Sequence, residues 1–219
     1  MNTSYSFPCL LLSGMPCTGK DTLSWQLTKR DPVFALLRKH RAVPASALHN
    51  QEQTYINVSP QTFQALIESN SFIQYHGRYG KIYGVSREEY TTLVHAKQIP
   101  IIHVGKYENL CPLRQGGLQE GLSVLLWTNR DIVQTRLRER HQHRTDGVEE
   151  RLIAYDQEVT QLKQAVAEGD LDFQLVFENN GADPGAACEA LLALLRTPTA
   201  WSTTATQAKL MKLLQENRP

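Results

Sequence analysis

The stretch GMPCTGKD, Gly14 to Asp21, constrains this chain more than any other. Two glycines stand five apart and a lysine follows directly. Glycine reaches backbone conformations closed to other residues, so successive N–H groups can turn inward and cradle phosphate oxygens. Lys20 adds a positive charge for the β- and γ-phosphates, and a helix starting there presents its positive end. The context such a loop needs is present. Cys9 to Leu12 is a continuous apolar run, as in a strand buried on both faces, and a helix pattern opens at Lys20. The loop therefore implies a nucleoside triphosphate such as ATP, held by Gly14, Pro16, Cys17, Thr18, Gly19, Lys20, Asp21 and Thr22.

Asp21 stands where such loops usually carry Ser or Thr, whose hydroxyl reaches Mg²⁺. Asp21 and Thr22 are candidate metal ligands. The alternative is that Asp21 only favours the start of the helix.

Strand and helix signals alternate along the rest of the chain. The first helix should run from Lys20 to Lys29, burying Leu23, Trp25 and Leu27, and Asp31-Pro32 stops it. Val33 to Leu37 reads as a strand, and the polar stretch from Arg38 to Gln53 as a loop. Ser59-Pro60 and Asp183-Pro184 are N-cap and N1 pairs, and Ser86 with Glu89 forms a capping box. Ser71 to Gly84 reads as short strands and turns. Further strands are expected at Gln98 to Val104, Leu122 to Thr128 and Leu171 to Phe177. Helices are expected at Asn129 to His141 and Gly147 to Gly169. This alternation predicts an α/β fold on a mostly parallel sheet. Pro198 and the following Thr/Ser-rich run read as a linker, and Gln207 to Gln215 as a tail helix.

Composition narrows the function. The 219 residues carry 23 basic against 22 acidic side chains, a net charge of +1. Nothing in that balance calls for nucleic acid or a membrane surface. The four cysteines lack metal-type spacing and read as reduced thiols of a cytoplasmic protein. The N-terminal apolar run leads straight into the loop and reads as a core strand, not a signal peptide.

A second motif, RLRERHQHRTDGVEERL (Arg136 to Leu152), resembles the lid of guanylate kinases without a gap. The resemblance implies that Arg140 and Arg151 clamp the transferring phosphoryl group, beside Lys20 as the third catalytic residue. SGMPCTGKDTL resembles that family's phosphate loop. YINVSPQTFQALIESNSFIQYHGRYGKIYGVSREEY (Tyr55 to Tyr90) resembles its substrate-binding insert. FENNG (Phe177 to Gly181) falls where the family places an asparagine near the adenine, which implies Asn180.

The likeness covers about residues 8 to 196. It implies a P-loop NTPase fold with a five-stranded parallel sheet flanked by helices, an insert over about 41–94 and a lid over about 138–151. Residues 1–197 would form the kinase domain, and 198–219 a linker and tail that either lies apart or packs on the core or a second subunit. The implied chemistry is transfer from MgATP to a small phosphorylated acceptor held by Arg41, Tyr55, Gln74, Tyr83 and Gly84, in a monomer or homodimer.

The departures concern the acceptor. Only Lys39-His40-Arg41 represents the family's Thr-Thr-Arg-x-x-Arg, with Pro44 at the second arginine. Gln74 replaces a glutamate that reads guanine, Val85 replaces a hydroxyl, and His103-Val104-Gly105-Lys106 replaces an acidic strand end. One carbonyl and one NH₂ cannot match a guanine edge as a carboxylate does, so GMP is expected to be a poor acceptor. Gly-Lys-Asp-Thr is also similar to the ribose bisphosphate phosphokinases, although their Asn-Gly-Ser-Arg segment is absent. The acceptor is thus expected to be a nucleoside monophosphate or a sugar phosphate. A non-catalytic binding module of the same fold is the third reading, although such modules usually lose the lysine and arginines retained here.

Overall fold

The computed structural model describes residues 5–49, 53–78, 80–140, 147–169 and 171–216. Two sheets organise them. The larger is five-stranded and parallel: β1 (Leu10–Gly14), β2 (Phe34–Leu36), β7 (Ile99–Gly105), β8 (Leu122–Trp127) and β9 (Leu175–Glu178) lie in the order β2-β7-β1-β8-β9. The smaller is built from β3 (Lys39–Ala42), β4 (Tyr55–Val58), β5 (Phe72–Arg78) and β6 (Lys81–Ser86), in the order β4-β3-β6-β5. It occupies the region expected to form the insert.

Alternating side chains of the central strands feed two cores. Leu10 and Leu12 of β1 pack with Leu23 and Leu27 of α1 (Lys20–Arg30) and with Leu191, Leu192 and Leu195 of α7 (Pro184–Leu195). Leu11 packs on the opposite face, with Tyr155, Val159 and Leu162 of α6 (Val148–Glu168) and Leu210 of α8 (Thr203–Glu216). The other helices are α2 (Pro60–Glu68), α3 (Arg87–His95), a short α4 (Leu110–Leu113) and α5 (Arg130–Arg140). The expected caps form. Ser59 accepts from Thr62 N, Ser86 from Glu89 N and Asp183 from Gly185 N.

Four expectations need correction. Lys39–Ala42, expected to be loop, is a strand. It pairs with β4 on one side and β6 on the other, and that pairing outweighs its polar content. Trp25 is 46% exposed with Lys29 Nζ stacked over its ring, because its position rotates off the face that Leu23 and Leu27 bury. The last strand starts at Leu175. Leu171 and Phe173 are buried ahead of it without strand pairing. Finally, the tail is not set apart by a linker. Trp201 stacks edge-on against Phe7 and donates to Leu194 O at 3.0 Å. α8 buries Leu210, Leu213 and Leu214 against α6 and β9. No helix among the described residues is long and apolar enough to cross a membrane.

Candidate active site

β1 ends at Gly14 and α1 begins at Lys20, so the loop lies at the carboxyl edge of the central strand. Gly19 has a φ of 93°, and a Cβ there would stand 2.4 Å from Asn179 Nδ2. Glycine is therefore required on both conformational and steric grounds. Thr18 is fully buried and its Oγ1 donates to Met15 O at 3.0 Å, so it braces the loop from beneath. Pro16, Cys17, Gly19, Lys20, Asp21 and Thr22 line a cavity of about 920 Å³, whereas Gly14 and Thr18 shape the loop behind it.

The Lys20 ammonium folds back across the loop and donates to Gly14 O at 2.6 Å and Met15 O at 2.9 Å. Burial, reinforced by the Arg78 charge, brings its pKa down to about 8. Phosphate oxygens entering the loop would offset that penalty.

Asp21 is exposed at the cavity edge, with its Oδ1 3.4 Å from His103 Nδ1, while His103 Nε2 lies 2.7 Å from Ser24 Oγ. Burial pushes the His103 pKa down to about 4, against the pull of Asp21. A neutral imidazole that donates from Nδ1 toward Asp21 and accepts from the Ser24 hydroxyl satisfies both contacts. The Asp21 carboxylate and Thr22 hydroxyl both line the cavity and are hard oxygen donors. They fit Mg²⁺, which takes one or two carboxylates together with substrate phosphates. Among the described residues no group of three or more His, Cys, Asp or Glu could form an all-protein metal site.

The opposite wall comes from α5, α6 and the segment after β9. Arg151, in the first turn of α6, lines the cavity. Arg140 closes α5, but its side chain and residues 141–146 of the lid lie outside the described residues. Asn180 also lines the cavity and accepts from Asn129 N at 2.9 Å.

Two wall residues were not singled out from the sequence. Asn179 is buried and donates to Thr18 O at 2.8 Å. Arg136 donates to Asn179 O and Gly181 O, both at 2.9 Å, which fixes the segment that carries Asn180. The doubled asparagine and the arginine cluster were visible, but nothing local says which member braces and which faces the cavity.

The acceptor candidates assemble on the small sheet. Arg41 is buried, donates from Nε and Nη2 to Asn57 Oδ1, and stacks 4.6 Å over the Tyr55 ring. Tyr55 and Tyr83 lie 5.4 Å apart between ring centroids, and His76 stacks on Tyr83 at 5.8 Å. Arg41, Tyr55 and Tyr83 are therefore brought together. Gly84 packs under Phe72, where a Cβ would be 2.5 Å from Cε1. The Gln74 amide lies 3.2 Å from His76 Nδ1 and donates to Asn109 Oδ1 at 3.3 Å, so it is already engaged within the protein. Val85 is fully buried in the core.

Arg78, at the end of β5, joins the two halves. It lines the main cavity and pairs with the buried Glu158 of α6. Burial raises the Glu158 pKa, and the Arg78 and Lys20 charges oppose that.

A glycine loop at the edge of a parallel sheet, faced by an arginine across a cavity, defines the P-loop kinase class of α/β proteins. The guanylate kinase family model matches residues 8–196, and this chain belongs to that family. Among solved structures, a guanylate kinase from Anaplasma phagocytophilum superposes with a TM-score of 0.60 at 15% identity, over 98% of this chain and 97% of that one. A shikimate kinase from Bacteroides thetaiotaomicron gives a TM-score of 0.46 at 18% identity, over 88% and 100% of the two chains. A gluconokinase from Sinorhizobium meliloti 1021 gives 0.43 at 14% identity, over 87% and 94%. A search of curated protein sequences finds no match. Family membership supports a nucleotide or small-molecule kinase.

Proposed function

We propose that this protein is an ATP-dependent kinase that transfers the γ-phosphoryl group of MgATP to a phosphate oxygen of a small phosphorylated metabolite. The observation that carries this reading is the shared cavity. Lys20 and the loop form one wall, Arg151 the other, and Arg78 stands at the border with the acceptor sheet. An acceptor phosphate oxygen forms the new bond to the γ-phosphorus. The bond from that phosphorus to the β,γ-bridging oxygen breaks, and ADP leaves with the electron pair. Little covalent help is needed from the protein, so positioning and charge stabilisation carry the catalysis. Lys20 and the loop amides hold the donor. Arg151, and Arg140 if the lid closes as the family likeness implies, offset charge on the equatorial oxygens. Arg41, Tyr55 and Tyr83 grip the acceptor phosphate. Asp21 and Thr22 would hold Mg²⁺, which supplies charge neutralisation on the donor phosphates.

The test is ADP release by purified protein given MgATP and a panel of nucleoside monophosphates, sugar phosphates and their unphosphorylated parents. Phosphorylated acceptors should raise ADP release, unphosphorylated parents should not, and GMP should be a weak member of the panel. No acceptor-dependent ADP across the panel, with ATP binding intact, would favour a binding module instead.

A further inference from the structure

His103 reaches from β7 to the first turn of α1 and touches two of its residues. It pairs with Leu12 of β1 in the parallel register, so its side chain leaves the sheet on the face that α1 covers, as those of Leu10 and Leu12 do. Asp21 and Ser24 stand three apart in α1, a spacing that puts both side chains on one face of the helix. The imidazole spans them. Its Nε2 lies 2.7 Å from the Ser24 hydroxyl, and its Nδ1 lies 3.4 Å from Asp21 Oδ1.

The two ends of the ring differ in surroundings. Ser24 is fully buried and the His103 side chain is 13% exposed, so that end is fixed. The Asp21 side chain is 72% exposed and lines the main cavity. A carboxylate that only favoured the helix start would need no partner from another element, because the positive helix end acts on it unaided. A carboxylate that receives a cation gains from being held in place beforehand. It turns about two side-chain torsions where a serine hydroxyl turns about one, and restraining it in advance removes an ordering cost from binding. A carboxylate at position 103 would repel Asp21, whereas an imidazole N–H can donate to it. With Oδ1 so engaged, Oδ2 remains a hard oxygen donor.

We propose that His103 is a positioning residue for the metal: its ring, fixed by Ser24, holds the Asp21 carboxylate in the orientation that receives the divalent cation of the bound nucleotide. The inference rests on the MgATP reading above and assigns Asp21 to metal holding. It concerns the donor and the metal alone, so its test needs no acceptor.

Calorimetric titration of the full chain with a non-hydrolysable ATP analogue, in Mg²⁺ and again in EDTA, gives the gain in affinity that the cation supplies. His103→Asn puts an amide nitrogen where Nδ1 stood and drops the Ser24 contact. His103→Gln puts one where Nε2 stood and drops the Asp21 contact. The wild-type gain should be at least about 10-fold, the scale on which groups supporting a metal ligand act. His103→Gln should lose most of it while binding the analogue unchanged in EDTA, and His103→Asn should keep more of it. Ser24→Ala, the milder change, should lose part of the gain and carries the test if a ring replacement unfolds. In an Asp21→Ser background, His103→Gln should have no further effect. A loss shared equally between Mg²⁺ and EDTA would overturn the proposal and leave His103 as a packing tie between β7 and α1. So would affinity independent of Mg²⁺ in wild type, or a His103→Gln effect that survives in Asp21→Ser. The expected Mg²⁺ pattern without ADP release from any acceptor would remove the kinase reading and leave this assignment standing.

Discussion

Asn179 Nδ2 donates to Thr18 O at 2.8 Å and also occupies the space beside Gly19, 2.4 Å from where a Cβ would project. The segment after β9 therefore clamps the phosphate loop by contact and by hydrogen bond together. Gly19→Ala should destabilise the protein strongly, and Asn179→Ala should cost about 1–3 kcal/mol through the lost buried partner. The double variant should be less damaged than the sum, with a coupling of roughly 0.5–3 kcal/mol, because removing Asn179 makes room for the methyl group. Urea denaturation of the four proteins measures this. Strict additivity would show that left-handed backbone strain at residue 19 accounts for the whole effect.

Lys20 and Arg151 line one cavity from different elements, and their substitutions should divide kinetically. Lys20→Ala should lower kcat/KM by roughly 100-fold or more, the effect of about 3 kcal/mol of lost transition-state charge. Arg151→Ala should lower kcat much more than it weakens ATP binding, and lysine there should rescue poorly because a point charge cannot reproduce the guanidinium fork. Steady-state kinetics with nucleotide titration separates the two. Unchanged kcat in Arg151→Ala would leave that residue as cavity wall alone.

Much of this architecture is legible in the residues. The loop, its flanking strand and helix, and three N-caps are local features, and local chemistry decides them. Lys39–Ala42 was not legible. Its strand exists because two neighbours supply ladders, and no local pattern in KHRA announces them. The charged side chains Lys39 and Arg41 are inward-facing, which inverts the usual reading of polar residues as solvated. Gln74 was legible as a substitution, but its contact with His76 two residues on and its reach to Asn109 on a distant segment emerge only in three dimensions.

The sequence leaves the tail open between lying apart and packing on the core for a related reason. Its leucine stripe was visible, but its docking surface was not. Leu210 is fully buried, Thr206 Oγ1 donates to Gln174 O at 3.0 Å, and Lys209 pairs with Glu178 at 3.0 Å. Truncation after Thr197 uncovers part of the core over α6 and β9, so it should lower the melting temperature sharply and promote aggregation. Leu210→Ala alone should cost about 2–5 kcal/mol. Exposed Met211 should tolerate change within about 0.5 kcal/mol. A truncated protein that melts like the full chain would refute this packing argument.

Lys39 should leave a signature in the pH dependence of stability. Its pKa is about 7 in the fold against the ordinary lysine value of 10.5. Between those two values the unfolded chain binds more protons than the folded one, so unfolding free energy rises with pH across the window. Below about pH 7 the buried ammonium exacts its full destabilisation, and above 10.5 it exacts none. Arg78, Lys20, His76 and His103 are the charged and titratable groups that act on it or feel it. Lys39→Met removes the titration with little loss of volume. The stability of wild type should therefore climb relative to the variant by several kcal/mol from pH 7 toward pH 10, and the variant should be the more stable protein at pH 6. Denaturant titrations at matched ionic strength across that range give the difference directly. Parallel curves for the two proteins would mean that Lys39 keeps an ordinary pKa and is not desolvated at the strand end.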